Sequence, residues 1–319
     1  MATYKEIHGS NIEVVSSDPS NPVDGQVWYN TTSNVMKGFT SSPAGSWATG
    51  NNMNTARSAL AGAGTQTAAI AMAGQYPSKA NVEKYDGTSW TEVADVNTAR
   101  QDLGGSGTQT AALIFGGEPI PSTTGRLTES WDNSSWTEVG DLNTARYGLG
   151  SNSIGTVTLA LCVGGFPVTA ANESWNGTAW TEVGDLNTAR GRLATFGTST
   201  AAIAVGGAGP DAETELWNGT AWTEVGDLNT ARQQLAGAGI TTAGLAFGGE
   251  STGPILAITE EWNGTSWTEG NDLNTARQEM GAAGTTTSAL GFGGYGPDYS
   301  AATEEWNAPT EGNVTFDTT

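Results

Sequence analysis

Histidine occurs once in the 319 residues, at His8, and cysteine once, at Cys162. A lone thiol forms no internal disulfide, and its apolar setting, "LALCVGG", makes Cys162 a buried structural thiol rather than a nucleophile. A lone imidazole near the start leaves a copper centre, a Ser-His-Asp site or a Cys-His site without ligand or base. Basic residues are scarce too: 12 Lys and Arg against 33 Asp and Glu give a net charge of −21. Such a surface repels phosphates, so neither nucleic acid nor an anionic membrane is an expected partner. No apolar run approaches the ~20 residues of a membrane helix, so no membrane insertion is expected. The opening "MATYKEIHGSN" has no apolar stretch of a secretory signal. The expectation is a soluble chain made without disulfides.

Glycine is what abounds, with 45 residues, alongside Thr, Ser, Ala and Asn, a vocabulary of strands and turns. "EVGDLNTAR" stands at 138–146, 182–190 and 224–232, with near copies at 92–100 and 269–277 and a reduced "NMNTAR" at 52–57. The closing arginines, Arg57, Arg100, Arg146, Arg190, Arg232 and Arg277, recur every 42 to 46 residues. A period of this size marks a solenoid or a propeller. Within each period the order is constant. A Leu-containing segment follows the Arg, then an apolar run closed by Gly-Gly ("AAIAVGG"), then "TELWNGTAWTEV", two polar-aromatic strands joined by Asn-Gly. Asn-Gly predicts a type I′ hairpin turn. Four strands per unit, with no helical spacing, fit one propeller blade.

These residues resemble the Kelch repeat: Arg, an apolar strand ending in Gly-Gly, an aromatic, and Trp five residues later. The aromatic pairs are Tyr85/Trp90, Trp131/Trp136, Trp175/Trp180, Trp217/Trp222 and Trp262/Trp267. The first unit departs from the pattern at Ala73-Gly74 and Tyr85. The expected fold is all-β, a six-bladed Kelch-like β-propeller of four-stranded antiparallel blades over 46–307. A short N-terminal extension (1–45) and a C-terminal tail (308–319) flank it. The sixth unit ends at Trp306 without its second Trp, and Trp47 near the start has no partner. They pair only if the N-terminal strand completes the last blade, which also hides the sheet edges. The alternative closing strand is "NVTF" near the C-terminus. Residues 24–39 read as a hairpin around "TTSN" and resemble a segment of bacteriophage tail-fibre and other virion appendage proteins.

The repeated Arg is the costly residue of each unit. Two sets of acids share its period, the Glu of "WTE" (Glu92, Glu138, Glu182, Glu224, Glu269) and the Glu before the first Trp. The expected role is a structural bidentate pair or a cap on backbone carbonyls, in preference to a cationic ring. Function is expected where the repeats differ, in the loops after Gly-Gly, which strand alternation places on the face of the NTAR turns. Those loops carry Tyr76, Glu118, Phe166, Asp211, Glu250, Tyr295, Asp298 and Tyr299, a set suited to protein or glycan recognition. No catalytic residue, metal or cofactor is singled out, although loop carboxylates such as those of the two "GPD" stretches leave calcium open.

The resemblances imply a non-enzymatic virion component present in multiple copies. Its N-terminal segment would meet other virion proteins, and its loops a host surface glycan or protein. The alternatives are a cellular adaptor or lectin and, last, a carboxylate-dependent glycan hydrolase.

Overall fold

The structure, a computed structural model, describes residues 12–22, 25–41, 45–75, 77–118, 124–150, 155–308 and 311–316. It divides into two compact units: residues 46–308, and residues 1–45 together with 309–319.

The larger unit is a six-bladed β-propeller. Blade 1 consists of Ala61–Thr65, Ala68–Gly74, Lys79–Tyr85 and Trp90–Val93. Blade 2 is Gly104–Thr108, Ala111–Phe115, Thr128–Trp131 and Trp136–Glu138. Blade 3 is Gly155–Thr156, Leu159–Val163, Asn172–Trp175 and Trp180–Glu182. Blade 4 is Ala194–Thr198, Ala201–Val205, Thr214–Trp217 and Trp222–Glu224. Blade 5 is Ala236–Ile240, Ala243–Phe247, Thr259–Trp262 and Trp267–Glu269. Blade 6 takes Gly281–Thr285, Ser288–Phe292 and Thr303–Asn307 from one end of the chain and Ser46–Gly50 from the other.

Trp306 pairs with Trp47 and Asn307 with Ser46, so the N-terminal strand closes the ring. The first strand of each blade packs against the first strands of its two neighbours, blade 6 against blade 1 included. "NVTF" does not take that place. Glu311–Phe316 lies antiparallel to Val35–Ser41 in the second unit, so these residues are a strand rather than a tail.

Short apolar strands build this ring because each is covered on both faces. The buried side chains form six clusters, one between each pair of neighbouring blades. The Trp pairs stand inside them with ring centroids 5.3–5.5 Å apart, each buried ring contributing roughly 1.5–3 kcal/mol. The second Trp of a pair reaches into the preceding blade. Trp47, Trp90, Trp180 and Trp267 donate Nε1–H to Thr259, Thr303, Thr128 and Thr214 at 2.9–3.0 Å. Where blade 1 has Val82 instead of Thr, Trp136 turns to the carbonyl of Ala94. Where blade 3 has Asn172, the indole N–H of Trp222 is buried without an acceptor.

The Asn-Gly turns differ from expectation. The ladder closes at Trp175↔Trp180, Trp217↔Trp222 and Trp262↔Trp267, so four residues span each hairpin. Only the Gly has positive φ, at 92°. The Asn side chain accepts the two following backbone N–H groups instead, as Asn218 does from Thr220 and Ala221. Placing the Trp pair at the end of the ladder excludes the two-residue I′ turn.

In the smaller unit Val27–Asn30 and Val35–Ser41 form the hairpin read around "TTSN", with Glu13–Val15 parallel on its outer side. Trp28 is buried and donates to Asp18, which also holds Asn30 and Lys37. The Lys37 hydrogen bond foremost, with those of Asn30 and Trp28, pulls the Asp18 carboxyl down to about 2.

Candidate functional site: the axial face

Each NTAR segment links the outer strand of one blade to the first strand of the next, and its Arg turns inward. All six guanidinium groups are buried, at 0–1% exposure. Each pairs with one carboxylate on the third strand of its own blade: Arg57 with Glu83, Arg100 with Glu129 (3.1 Å), Arg146 with Glu173 (2.7 Å), Arg190 with Glu215 (3.0 Å), Arg232 with Glu260 (2.5 Å) and Arg277 with Glu304 (2.7 Å). The pairing uses a single carboxylate oxygen, so it is not bidentate. In five of the six, Nη–H groups also go to carbonyls, as Arg190 does to Gly206, Glu213 and Ala204, while each Nε–H is buried without an acceptor and Arg100 has its ion pair but no hydrogen bond. Burial pulls the pKa of Arg100, Arg232 and Arg277 down, and the facing Glu opposes it.

The "WTE" glutamates are not the partners. They sit exposed on the outermost strands, whereas the third-strand Glu lies inside the sheet. That inner carboxylate also accepts the Asn of the linker. Glu215 takes the backbone N–H and the side-chain amide of Asn187, both at 2.8 Å, and the same amide reaches the Trp222 carbonyl. The arginines therefore fasten linkers to blades.

The Gly-Gly pairs serve the same joint. The second Gly donates to the carbonyl of the next Arg: Gly117 to Arg146, Gly207 to Arg232, and Gly294 to Arg57. A Cβ on the first Gly would meet that carbonyl at 2.3–2.7 Å, as at Gly164, Gly206 and Gly293. Blade 1 carries Ala73 there at φ 58°, and its pairing with the third strand slips between Met72 and Gly74.

Immediately after five of the six Arg the chain bridges to the residue after Gly-Gly: Ser58 to Gln75, Gln101 to Glu118, Tyr147 to Phe166, Gln233 to Glu250, and Gln278 to Tyr295; after Arg190, Ala208 donates to the carbonyl of Gly191 at 2.7 Å. The NTAR turns and the variable loops thus share a face. One residue further on lies a feature with no repeated side chain. Ala59, Asp102, Gly148, Arg192, Gln234 and Glu279 all have φ between 50° and 57°. Each donates its backbone N–H to the carbonyl of the one before it, at 2.7–2.9 Å, and Ala59 donates to Glu279. Six left-handed residues close a hydrogen-bonded ring around the axis.

At this ring lies a small cavity of about 30 Å³, lined by the ring residues and the leucines that follow them (Leu60, Leu103, Leu149, Leu193, Leu235). Its rim is polar and asymmetric. Glu279 accepts Gln234 on one oxygen and Ser58 (2.8 Å) and Gln75 (2.7 Å) on the other. Phe166 stacks on Tyr147 at 5.6 Å, and Arg192 lies over the Phe166 ring at 5.5 Å. A Cβ at Gly148 or Gly191 would strike that ring at 2.8 or 2.6 Å, which explains why both are glycine. Among the described residues no carboxylate stands within ion-pair distance of Arg192. Burial, with Glu279 adding to it, raises the Asp102 carboxyl to about 7.

The chain matches no protein-family model, and no curated protein is significantly similar to it.

Of the loop residues expected from sequence, Glu118, Phe166, Glu250 and Tyr295 border the axial ring. Glu118 meets Gln101 at 3.4 Å and Glu250 meets Gln233 at 2.8 Å. Asp211 caps the N–H of Glu213 and bridges Arg232, a local structural role. Asp298 is exposed, and Tyr299 stands edge-on to Tyr295 at 5.4 Å. Tyr76 lies outside the described residues. Cys162 is buried in the blade 2–blade 3 cluster, and burial raises its thiol to about 12. Sequence reasoning missed Asp102, Arg192, Gln234 and Glu279. Their signal was position: two residues after an invariant Arg, in otherwise uniform repeats, side chains of every kind.

Proposed function

We propose that this propeller is of the Kelch type and that the chain is a non-enzymatic component of a bacteriophage virion, carried in many copies, with its axial face turned to a host surface. The observation that carries this reading is the division of labour among residues. Everything repeated (Arg, its Glu, the Gly-Gly pair, the Trp pair) is consumed in joining blades, while variation gathers on one face. A uniform scaffold with one varied face suits recognition better than turnover. The Val27–Ser41 hairpin, with the resemblance of 24–39 to appendage proteins, supports an N-terminal unit that meets other virion proteins. Weak contacts from many copies would add up by avidity.

The test is mass spectrometry of density-purified virions from a phage that encodes this chain. The chain is expected in intact particles, at a copy number fixed relative to the capsid protein. Recovery only in the non-packaged soluble fraction would refute the reading.

A further inference from the structure

We infer that the three Asn-Gly hairpin turns, at Asn176, Asn218 and Asn263, are self-modifying sites. Each asparagine cyclises onto the backbone nitrogen of the glycine that follows, loses ammonia and becomes aspartate. These turns lie at the end of the blades opposite the NTAR segments, so the inference is independent of any reading of the axial face.

The first observation is that each turn holds the reacting groups together. All three asparagines are exposed. The nucleophile is the nitrogen of Gly177, Gly219 or Gly264, each at φ 92°. Among the described residues its N–H donates to no protein acceptor, and without a Cβ its residue leaves the approach open. The electrophile is the asparagine Cγ. Its Oδ1 accepts two backbone N–H groups at 2.9 Å, from Thr178 and Ala179, Thr220 and Ala221, or Thr265 and Ser266. Negative charge collects on that oxygen during attack, and two fixed donors aimed at it act as an oxyanion hole.

The step balances with water as the only co-reactant. The glycine nitrogen gives up its proton and bonds to Cγ, the Cγ–Nδ2 bond breaks, and ammonia leaves. Water then opens the five-membered imide, its hydroxyl adding to a carbonyl carbon and its proton returning to the glycine nitrogen. Nothing is oxidised or reduced.

The second observation is that two blades already carry the product. Asp86 and Asp132 occupy the equivalent turns of blades 1 and 2. Asp86 accepts the N–H groups of Thr88 and Ser89 at 2.8 and 2.7 Å, and Asp132 those of Ser134 and Ser135 at 2.8 Å. The donors that hold the amide therefore hold a carboxylate more closely. The Ser134 hydroxyl foremost, with these N–H groups, pulls the Asp132 carboxyl down to about 2. Opening the imide at its side-chain carbonyl gives such an aspartate. Opening it at the main-chain carbonyl gives isoaspartate, which lengthens the backbone by one atom between Trp217 and Trp222, where the ladder closes. The turn thus selects aspartate.

The NTAR asparagines are the contrast within the same chain. The amide nitrogen of Asn187 is held by Glu215 at 2.8 Å and the Trp222 carbonyl at 3.1 Å, and Asn143 and Asn229 are held likewise. Each is followed by a β-branched threonine.

The test is peptide mapping by mass spectrometry of the folded full chain kept at mildly alkaline pH, beside the same chain in urea. Isoaspartate is counted by enzymatic methylation. Conversion is expected at 176, 218 and 263 in the folded chain, with aspartate the main product and no conversion at 143, 187 and 229 over the same interval. In urea, where the turn is lost, the share of isoaspartate should rise. Gly219→Asn copies blade 2, where Asn133 takes φ 79°, so it should fold. Its side chain should slow conversion of Asn218 about tenfold and leave Asn176 and Asn263 as in the parent. The inference is overturned if the three turns keep their amides in the folded chain, or if the NTAR asparagines convert as fast. Isoaspartate predominating in the folded chain, or an unchanged rate at Asn218 in Gly219→Asn, would overturn it equally.

Discussion

Replacing Glu215 by Gln tests whether the NTAR motif is a joint. In blade 4 the Glu215 carboxylate accepts the Arg190 guanidinium and two donors of Asn187. Gln keeps the volume but removes the charge and turns an N–H₂ toward donors. Arg190, at 1% exposure, is then a buried cation with only carbonyl partners. Breaking a buried pair in this way costs about 3–5 kcal/mol. At roughly 2–4 °C per kcal/mol for a domain of this size class, the melting point should fall by about 6–20 °C. Thermal unfolding followed by circular dichroism reads the shift directly. Glu224→Gln, in the exposed "WTE" of the same blade, should change stability by no more than about 0.5 kcal/mol. The double variant Arg190→Met with Glu215→Leu should recover only part of the loss. It removes the stranded charge but leaves the Asn187 N–H and the Gly206 and Glu213 carbonyls unserved. Equal melting points for Glu215→Gln and Glu224→Gln would refute the joint, as would full recovery in the double variant.

Other consequences can be checked in the same way. Asn172→Thr should give the Trp222 indole the hydroxyl that Trp180 and Trp267 have and stabilise the protein by about 1 kcal/mol; correspondingly, Trp222→Phe should cost less than Trp267→Phe. Trp47→Ala removes a ring packed 4.7 Å from Phe247 and 5.5 Å from Trp306. It should cost about 3–5 kcal/mol, with amide exchange rising first at 46–50 and 303–307. Asp102 holds its proton in the folded state to about pH 7, against an ordinary value of 3.8. Its contribution to stability is therefore full at low pH and is lost as pH rises through this window. Asp102→Asn should flatten that part of a melting-point-versus-pH profile.

The blades and their closure were legible because periodicity and the aromatic count constrain topology strongly. Trp47 and Trp306 each lacked a partner, and one strand pairing satisfied both. The partner of the arginines was less legible. Glu129 and Glu138 each lie two residues from a buried Trp and occupy equivalent faces by alternation. What separates them is rank within the blade, since the third strand is covered by a fourth and the fourth by nothing. The turn type was misread because Asn-Gly has two uses. The Asn can adopt positive φ itself or fold its side chain back on the backbone, and the Trp ladder decides between them. The axial ring was invisible to motif reading for a physical reason: its order comes from backbone N–H and C=O groups, which every residue has. Ala, Asp, Gly, Arg, Gln and Glu therefore occupy equivalent places with nothing in common but φ.

The pairing of Ser46 with Asn307 also has a mechanical meaning. The polypeptide enters and leaves the propeller at adjacent points on one blade, at the same end of the same two strands. A pull applied between these points loads the Ser46–Gly50 ladder one rung at a time, beginning at the Ser46–Asn307 rung. The other five sheets feel no force until that strand has peeled away. A propeller dragged by its own chain ends would thus fail first at its clasp, with five blades intact and one strand free to return.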